Sequence, residues 1–329
     1  MLNGRPADGP TGHGFGRAVV VGAGLMGRGI AGVLAAGGLD VVLCDIQPDV
    51  LAQAVPAARA VAAQAVGTRS AGHGQASGHV SASSELTAAA RDADLVVEAV
   101  IENLEVKREV FARIAAAAPG AVLATNTSVL PVTAITERAA DPRRVLGTHW
   151  WNPPELIPVV EVVPGPRTAQ EVTGRVMNLL NHLGKTPVRV NRDVPGFIGN
   201  RLQHALWREA IALVADGVCD ADTVDLVARN TIGLRLARMG PIENADYVGL
   251  DLTLAIHAAV LPALNTDGAP SPLLRALVRR DDLGAKSGQG FLAWPPGSRE
   301  TAARELAAHV RAQEPSRTTR CGQERGNRT

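Results

Sequence analysis

Long apolar runs, aromatic side chains, cysteines and any excess of one charge are all scarce in this chain, and each scarcity removes a class of function. No run approaches the roughly 20 consecutive apolar residues that span a bilayer. The opening stretch MLNGRPADGPTGHGFG lacks the charged-then-apolar order of a secretory signal. The three cysteines, Cys44, Cys219 and Cys321, are odd in number and scattered, so neither a disulfide framework nor a zinc site is expected. A formal net charge of +1 offers no basic field for nucleic acid and no charged patch for a membrane surface. The expectation is a cytoplasmic protein that binds a small molecule and holds no metal. Aromatics make up only 3% of the residues, so the one place where they crowd, GTHWWNPPELIPVVEV from Gly147 to Val162, stands out.

A chain of 329 residues suggests one large domain or two of ordinary size, because single hydrophobic cores stop growing beyond about 250–300 residues. Residues 1–16 have too few apolar side chains to pack and read as a mobile leader, and EPSRTTRCGQERGNRT at the far end reads as a disordered tail. Between them the first half alternates β-branched runs with Ala/Leu-rich stretches: RAVVVGAG, DVVLCD, DLVVEAV, AVLATNT, RVLGTHWW, PVVEVV and PVRVNRD. That alternation predicts an α/β domain with a mostly parallel sheet. After Asp193 strands give way to helices, beginning with FIGNRLQHALWREAIALVADG, and Pro195 and Gly196 mark the junction. The expected plan is a leader over 1–16, an α/β domain over 17–193, an all-α domain over 194–298, and a terminal helix with its tail over 299–329. The stretch after Gln47 starts as a helix, meets Pro56, and dissolves into glycine, serine and histidine, where His73 and His79 read as solvated loop residues.

VVVGAGLMGRGI sets Gly22, Gly24 and Gly27 in GxGxxG spacing directly after a strand and at the opening of a helix. Gly22 allows a tight turn, Gly24 lets the backbone approach a pyrophosphate, and Gly27 lets helix and strand pack closely; Leu25 and Met26 lie within the same turn. The next strand ends in Asp45, where a carboxylate accepts from adenosine ribose hydroxyls and repels a 2′-phosphate. The pair of signals points to a Rossmann-type domain and to NAD rather than NADP as cofactor.

His149 ends an expected strand, and ligands sit at the carboxyl ends of strands in open α/β sheets. Twelve residues on, Glu161 stands among β-branched neighbours, where burying a charge is costly without a partner. A carboxylate on one ring nitrogen would fix the tautomer and leave the other nitrogen to take a proton. Spacing alone leaves a second reading open, in which His149 is a satisfied core histidine and Glu161 closes a strand end.

The motifs in order, namely the glycine turn, VVEAVIENLEVK, TNTSVLPV, GTHWWNPPELIPVVEV, DVPGFIGNR, MGPIENADYVGLD and GAKSGQGF, resemble those of the L-3-hydroxyacyl-CoA dehydrogenases over nearly all of residues 17–295. The resemblance implies that His149 and Glu161 form a catalytic dyad and that Ser128 and Asn200 hold the reacting oxygens of the substrate. It places Glu102, Lys107, Ser128, Asn152 and Lys286 at the cofactor. It also implies a homodimer that reversibly oxidises a β-hydroxyacyl substrate, carried on coenzyme A or a carrier protein, by hydride transfer to NAD. From the residues alone, other readings stay open: Ser128 as a helix N-cap, Asn200 as a helix-packing amide, and Lys107 as the partner of nearby glutamates on an exposed helix face.

The sequence departs from the family in two places. Trp150 and Trp151 stand where the family carries paired phenylalanines, beside the base, and the stretch after the second strand is short and nearly devoid of lysine, with Arg59 and Arg69 its only strong cations. The first departure implies an altered pocket. The second weakens recognition of coenzyme A, and the branch resembling lambda-crystallin with L-gulonate 3-dehydrogenase activity and the L-carnitine dehydrogenases offers a free β-hydroxy acid as alternative substrate. A nucleotide-binding protein without catalysis is the remaining alternative; both dyad residues are present.

Overall fold

The computed structural model describes residues 13–68, 77–137 and 139–313. His73, Arg69, Cys321 and the terminal stretch after Gln313 lie outside these. The chain divides into two compact units between Arg201 and Leu202.

The first unit is built on eight strands: β1 (Arg17–Val21), β2 (Asp40–Cys44), β3 (Val80–Ser83), β4 (Leu95–Glu98), β5 (Val122–Thr125), β6 (Val145–Trp150), β7 (Val159–Pro164) and β8 (Thr186–Arg189). They form one sheet in the order β3-β2-β1-β4-β5-β6-β7-β8. Every pairing is parallel except β6 with β7, a hairpin-like return in which His149 lies directly opposite Glu161. The central strands read as unbroken apolar runs because both of their faces are covered by helices. These helices are α1 (Leu25–Ala36), α2 (Pro48–Thr68), α3 (Leu86–Ala90), α4 (Leu104–Ala117), α5 (Val132–Ile135) and α6 (Gln170–His182). One buried cluster joins α1, α2 and α6 to one side of the sheet through Ile30, Leu34, Ala58, Leu146 and Leu179. Another joins α3 and α4 to the opposite side through Val19, Val96, Phe111, Ile114 and Leu123.

Three features differ from the sequence reading. α2 runs straight through Pro56, because the ring is exposed while Leu51, Ala54, Ala58 and Ala62 keep an unbroken buried stripe on both sides of it. Gly32 lets α1 approach that stripe so closely that an added Cβ would lie 2.6 Å from Val61. Packing of this stripe outweighs the ~3 kcal/mol that an interior proline costs. β3 was not legible at all: VSAS carries one fully buried apolar side chain, Val80, and depends on pairing with β2. Residues 13–16 are not part of a mobile leader. His13 and Phe15 are buried, with Arg175 of α6 4.5 Å over the Phe15 ring and His182 4.9 Å from His13, so two rings suffice to anchor the segment.

The second unit is helical. α7 (Gly199–Ala215) leads into it and is followed by α8 (Ala221–Ala228), α9 (Leu234–Leu236), α10 (Pro241–Val248), α11 (Leu250–Val260), α12 (Pro272–Arg279) and α13 (Ser298–Ala312). A π-helical turn, Arg229–Gly233, joins α8 to α9. Among the described residues no helix is long and apolar enough to cross a membrane, and no group of three potential metal ligands comes together.

Candidate active site

The glycine turn after β1 uses each glycine differently. Gly22, at φ +100°, is in a conformation few side chains adopt, and a Cβ there would lie 2.5 Å from the Ala99 carbonyl. At Gly27 a Cβ would lie 1.8 Å from the Gly22 carbonyl, so the helix could not seat on the turn. Gly24 faces open space, with nothing within 4 Å of an added Cβ. It precedes α1, whose first turn carries neither a side-chain cap nor an acidic residue. Backbone N–H groups at such a helix start are donors awaiting an anion.

Asp45, one residue past β2, accepts from Ala23 N–H at 2.8 Å and from Gln47 N–H at 3.0 Å. The carboxylate thereby braces the glycine turn and retains lone pairs for further donors. Leu25, Ile46 and Ile101, all exposed, surround this end of the sheet with apolar surface, while Met26 is half-buried against the core. A turn open at Gly24, a donor-rich helix start, an anchored acid and exposed apolar neighbours fit a dinucleotide.

β4 ends in Glu98, fully buried, which accepts from Lys107 Nζ at 2.7 Å, Thr125 Oγ1 at 2.7 Å and Val100 N–H at 2.8 Å. Glu98 was missed in the sequence, although the signal was there: LVVE sets a charge among β-branched residues as IPVVEVV does. Lys107, on α4, is not on an exposed helix face; it is buried, and its Nζ also reaches Glu102 Oε2 at 3.3 Å and the Val100 carbonyl. Glu102 in turn accepts from Thr127 Oγ1 and from the Ser128 and Val129 N–H groups through Oε1. Burial pushes the Glu102 carboxyl upward, but these bonds and the Lys107 charge outweigh it and hold the group below the ordinary carboxylate range. Ser128 does not cap the next helix, whose N-cap is Pro131.

The antiparallel register of β6 and β7 delivers the central pair. His149 Nδ1 and Glu161 Oε2 are 2.7 Å apart, and both residues are 3% exposed. Glu161 Oε1 accepts from the Ile198 and Gly199 N–H groups at 2.9 and 3.1 Å. These donors come from a turn in which Gly196 and Phe197 both have positive φ, the latter at +49°, a strained state for a phenylalanine. Burial works to raise the Glu161 carboxyl, yet His149 and the two N–H groups prevail and keep it below the usual range. His149 Nε2 makes no hydrogen bond among the described residues. Asn200, buried at the start of α7, donates from Nδ2 to the Ser128 carbonyl at 2.9 Å, so these two sequence-predicted residues do meet.

The two tryptophans part ways. Trp150 is 4% exposed and belongs to the core, with its backbone N–H donating to Asn126 Oδ1; Trp151 stays partly exposed, its ring 4.9 Å from that of His149. Asn152 is exposed and joined to Pro153 by a cis peptide bond. Lys286 lies in the second unit, exposed on the turn between the bridged residues Gly284 and Gln289.

A glycine turn with free helix-start donors, at the same end of the sheet as a buried histidine paired with a carboxylate, is the arrangement of the dinucleotide-dependent dehydrogenases. Residues 17–194 match the model of the 3-hydroxyacyl-CoA dehydrogenase NAD binding domain, and residues 196–294 match that of the C-terminal domain. The chain belongs to the 3-hydroxyacyl-CoA dehydrogenase family and is an NAD-dependent oxidoreductase. It is 34% identical over 282 residues to the 5-formyl-3-hydroxy-2-methylpyridine 4-carboxylate 5-dehydrogenase of Mesorhizobium japonicum, covering 84% of this chain and 90% of that one. A probable 3-hydroxybutyryl-CoA dehydrogenase of Deinococcus radiodurans is 37% identical, over 83% of this chain and 98% of that protein. The L-carnitine dehydrogenase of Streptomyces griseus is 41% identical over 71% of this chain and 70% of its own. Among solved structures, a 5-formyl-3-hydroxy-2-methylpyridine 4-carboxylic acid 5-dehydrogenase, described as an NAD+ dependent dismutase, superposes with a TM-score of 0.86 at 32% identity, covering 93% of this chain and 99% of that one.

Proposed function

We propose that the protein oxidises a β-hydroxyacyl substrate to the 3-oxo compound, reversibly, with His149 as general base. The observation that carries this reading is the buried 2.7 Å contact between His149 Nδ1 and Glu161, with Nε2 left to the substrate. Glu161 fixes the tautomer with the proton on Nδ1, and Nε2 removes the hydroxyl proton. Bound NAD would supply the acceptor for the hydride that leaves C3 as this proton is taken. Glu161, held ionised by two backbone N–H groups, stabilises the imidazolium that results. Ser128 and Asn200, tied together, orient the substrate oxygens. Gly22, Gly24, Gly27 and Asp45 hold the adenosine and pyrophosphate end of the cofactor, and Asn152 and Lys286 are further cofactor contacts. Lys107, with its Nζ enclosed, acts on the nicotinamide end by holding Glu102.

A thioester of coenzyme A is the substrate that family membership favours. A specific observation favours the second reading, a free acid: among the described residues of α2 and β3, Arg59 is the one cationic side chain, and it donates from Nε and Nη2 to the Val80 carbonyl. That guanidinium holds β3 against α2, which takes it away from a phosphate. The exposed apolar side chains of the second unit, Leu250, Leu252, Leu254 and Ile256 on α11 among them, support assembly as a homodimer.

The test is His149→Gln. Turnover should fall severely while NAD still binds, measured by steady-state NADH formation and by cofactor titration; wild-type turnover in the variant would refute the assignment.

A further inference from the structure

Resting on the proposed dyad, we infer that Trp151 is the specificity-determining residue of the site and that it selects substrates whose reacting carbon bears a flat, unsaturated substituent over those with a flexible saturated chain. Within β6 the side chain of Trp150 is buried in the core, whereas Trp151, the residue after the strand, sets its ring against that of His149. The Trp151 ring lies 4.9 Å from the His149 ring at 58°, and on its other flank meets the start of α7, where a Cβ at Gly199 would lie 2.2 Å from Cζ2. The indole is thus wedged between the base and the residue that precedes Asn200. Phe197, 5.8 Å from His149 on a strained turn, is fully buried and closes the same wall. Trp151 alone of these aromatics keeps exposed surface.

A substrate whose hydroxyl reaches Nε2 must therefore lay its neighbouring group along an indole held on two sides. A rigid aromatic surface rewards another ring by offset or edge contact and gives a freely rotating alkyl chain no equivalent orientation. Among the described residues of α2 and β3, Arg59 is the one cation, and its Nε and Nη2 are engaged with the Val80 carbonyl rather than turned to a carrier phosphate. Both observations push specificity from the carrier to the substituent at the reacting carbon.

The experiment compares 3-hydroxy-3-phenylpropanoate, free 3-hydroxybutyrate and 3-hydroxybutyryl-CoA as substrates of the full-length protein with NAD. Wild type should favour the aryl acid over both alkyl substrates in kcat/KM. Trp151→Ala should lower kcat/KM for the aryl acid by about two- to tenfold, through KM, with a smaller loss on the alkyl acid, so that the aryl-to-alkyl ratio falls while the pH profile of kcat keeps its shape. Trp151→Phe provides a milder variant with a smaller loss, and Trp150→Phe, a core change, should leave the aryl-to-alkyl ratio as it was. Equal losses on all substrates at Trp151, or a wild-type preference for 3-hydroxybutyryl-CoA, would overturn the inference. Because His149→Gln should abolish turnover of whichever substrate is used, failure of the dyad and failure of the Trp151 assignment give separate results.

Discussion

A carboxylate and its amide differ at Glu161 by one proton acceptor, and that difference decides what His149 can do. A glutamine there could still accept the Ile198 and Gly199 N–H groups through its oxygen, so the turn would keep its shape. Its NH2 would then face Nδ1 and force the imidazole proton onto Nε2, where a base must be bare. Glu161→Gln should therefore fold normally, bind NAD normally, and lose roughly 10³- to 10⁴-fold in kcat; a loss below tenfold in stopped-flow turnover would show that the carboxylate only packs. The sequence made this pair a candidate, because a glutamate in IPVVEVV needs a partner and a histidine ends the preceding strand, but spacing alone left a packing role open, and the order of the family motifs tipped the reading. Glu98 obeys the same logic, yet its partners Lys107 and Thr125 stand at distances of 9 and 27 residues that no local pattern links.

The glycine turn and α1 form an element whose three glycines should fail in different ways. Gly24 has φ −66° and open space around it, so Gly24→Ala should leave stability unchanged or raised by about 0.4–1 kcal/mol through the unfolded chain. Its methyl group would occupy the place of a pyrophosphate, and NAD affinity should drop at least about tenfold, a modest steric cost. Gly27→Ala drives a Cβ to 1.8 Å from the Gly22 carbonyl and should destabilise the fold itself by about 1–3 kcal/mol. Thermal melts with and without NAD separate the two; equal losses of stability would contradict the assignment of roles. A second element, the segment from His13 to Gly16 against α6, supplies a pH dependence. Burial, then His182 and Arg175, push the His13 imidazole from 6.5 down to about 4. The unfolded chain then binds more protons than the folded one between these values. Stability should be full above pH 6.5, decline as pH falls toward about 4, and level off below. His13→Phe should flatten that part of the denaturation-midpoint profile, and an unchanged slope would refute the burial argument. The elements that sequence did reveal, β1, β2 and β4 to β8, are β-branched runs between turn residues; β3, the continuation of α2 and the anchored segment from His13 are fixed by neighbours distant in sequence.

At the level of the whole molecule, the two units obey different rules of burial. In the first, the apolar residues of every central strand are covered, as a sheet between helix layers requires. In the second, α8, α10 and α11 have no buried residue, and α11, LDLTLAIHAAV, is apolar on nearly all sides. A helix of that composition has little reason to persist against water, since a surface helix needs a polar face. In the homodimer proposed above, a second copy of the chain would supply cover without any further component, because a two-fold contact sets one apolar face on its own duplicate. Replacing Leu254, 71% exposed, by Glu should then cost assembly rather than the internal packing of the first unit. Sedimentation equilibrium should show the wild type as a dimer and Leu254→Glu shifted toward monomer, with a lower melting temperature for the second unit and an unaltered NAD affinity. A wild type that is monomeric at all concentrations would refute the dimer. A variant that remains dimeric would move the contact away from α11, to the apolar residues of α7 and α10, where Leu206, Trp207, Ile242 and Tyr247 are exposed as well.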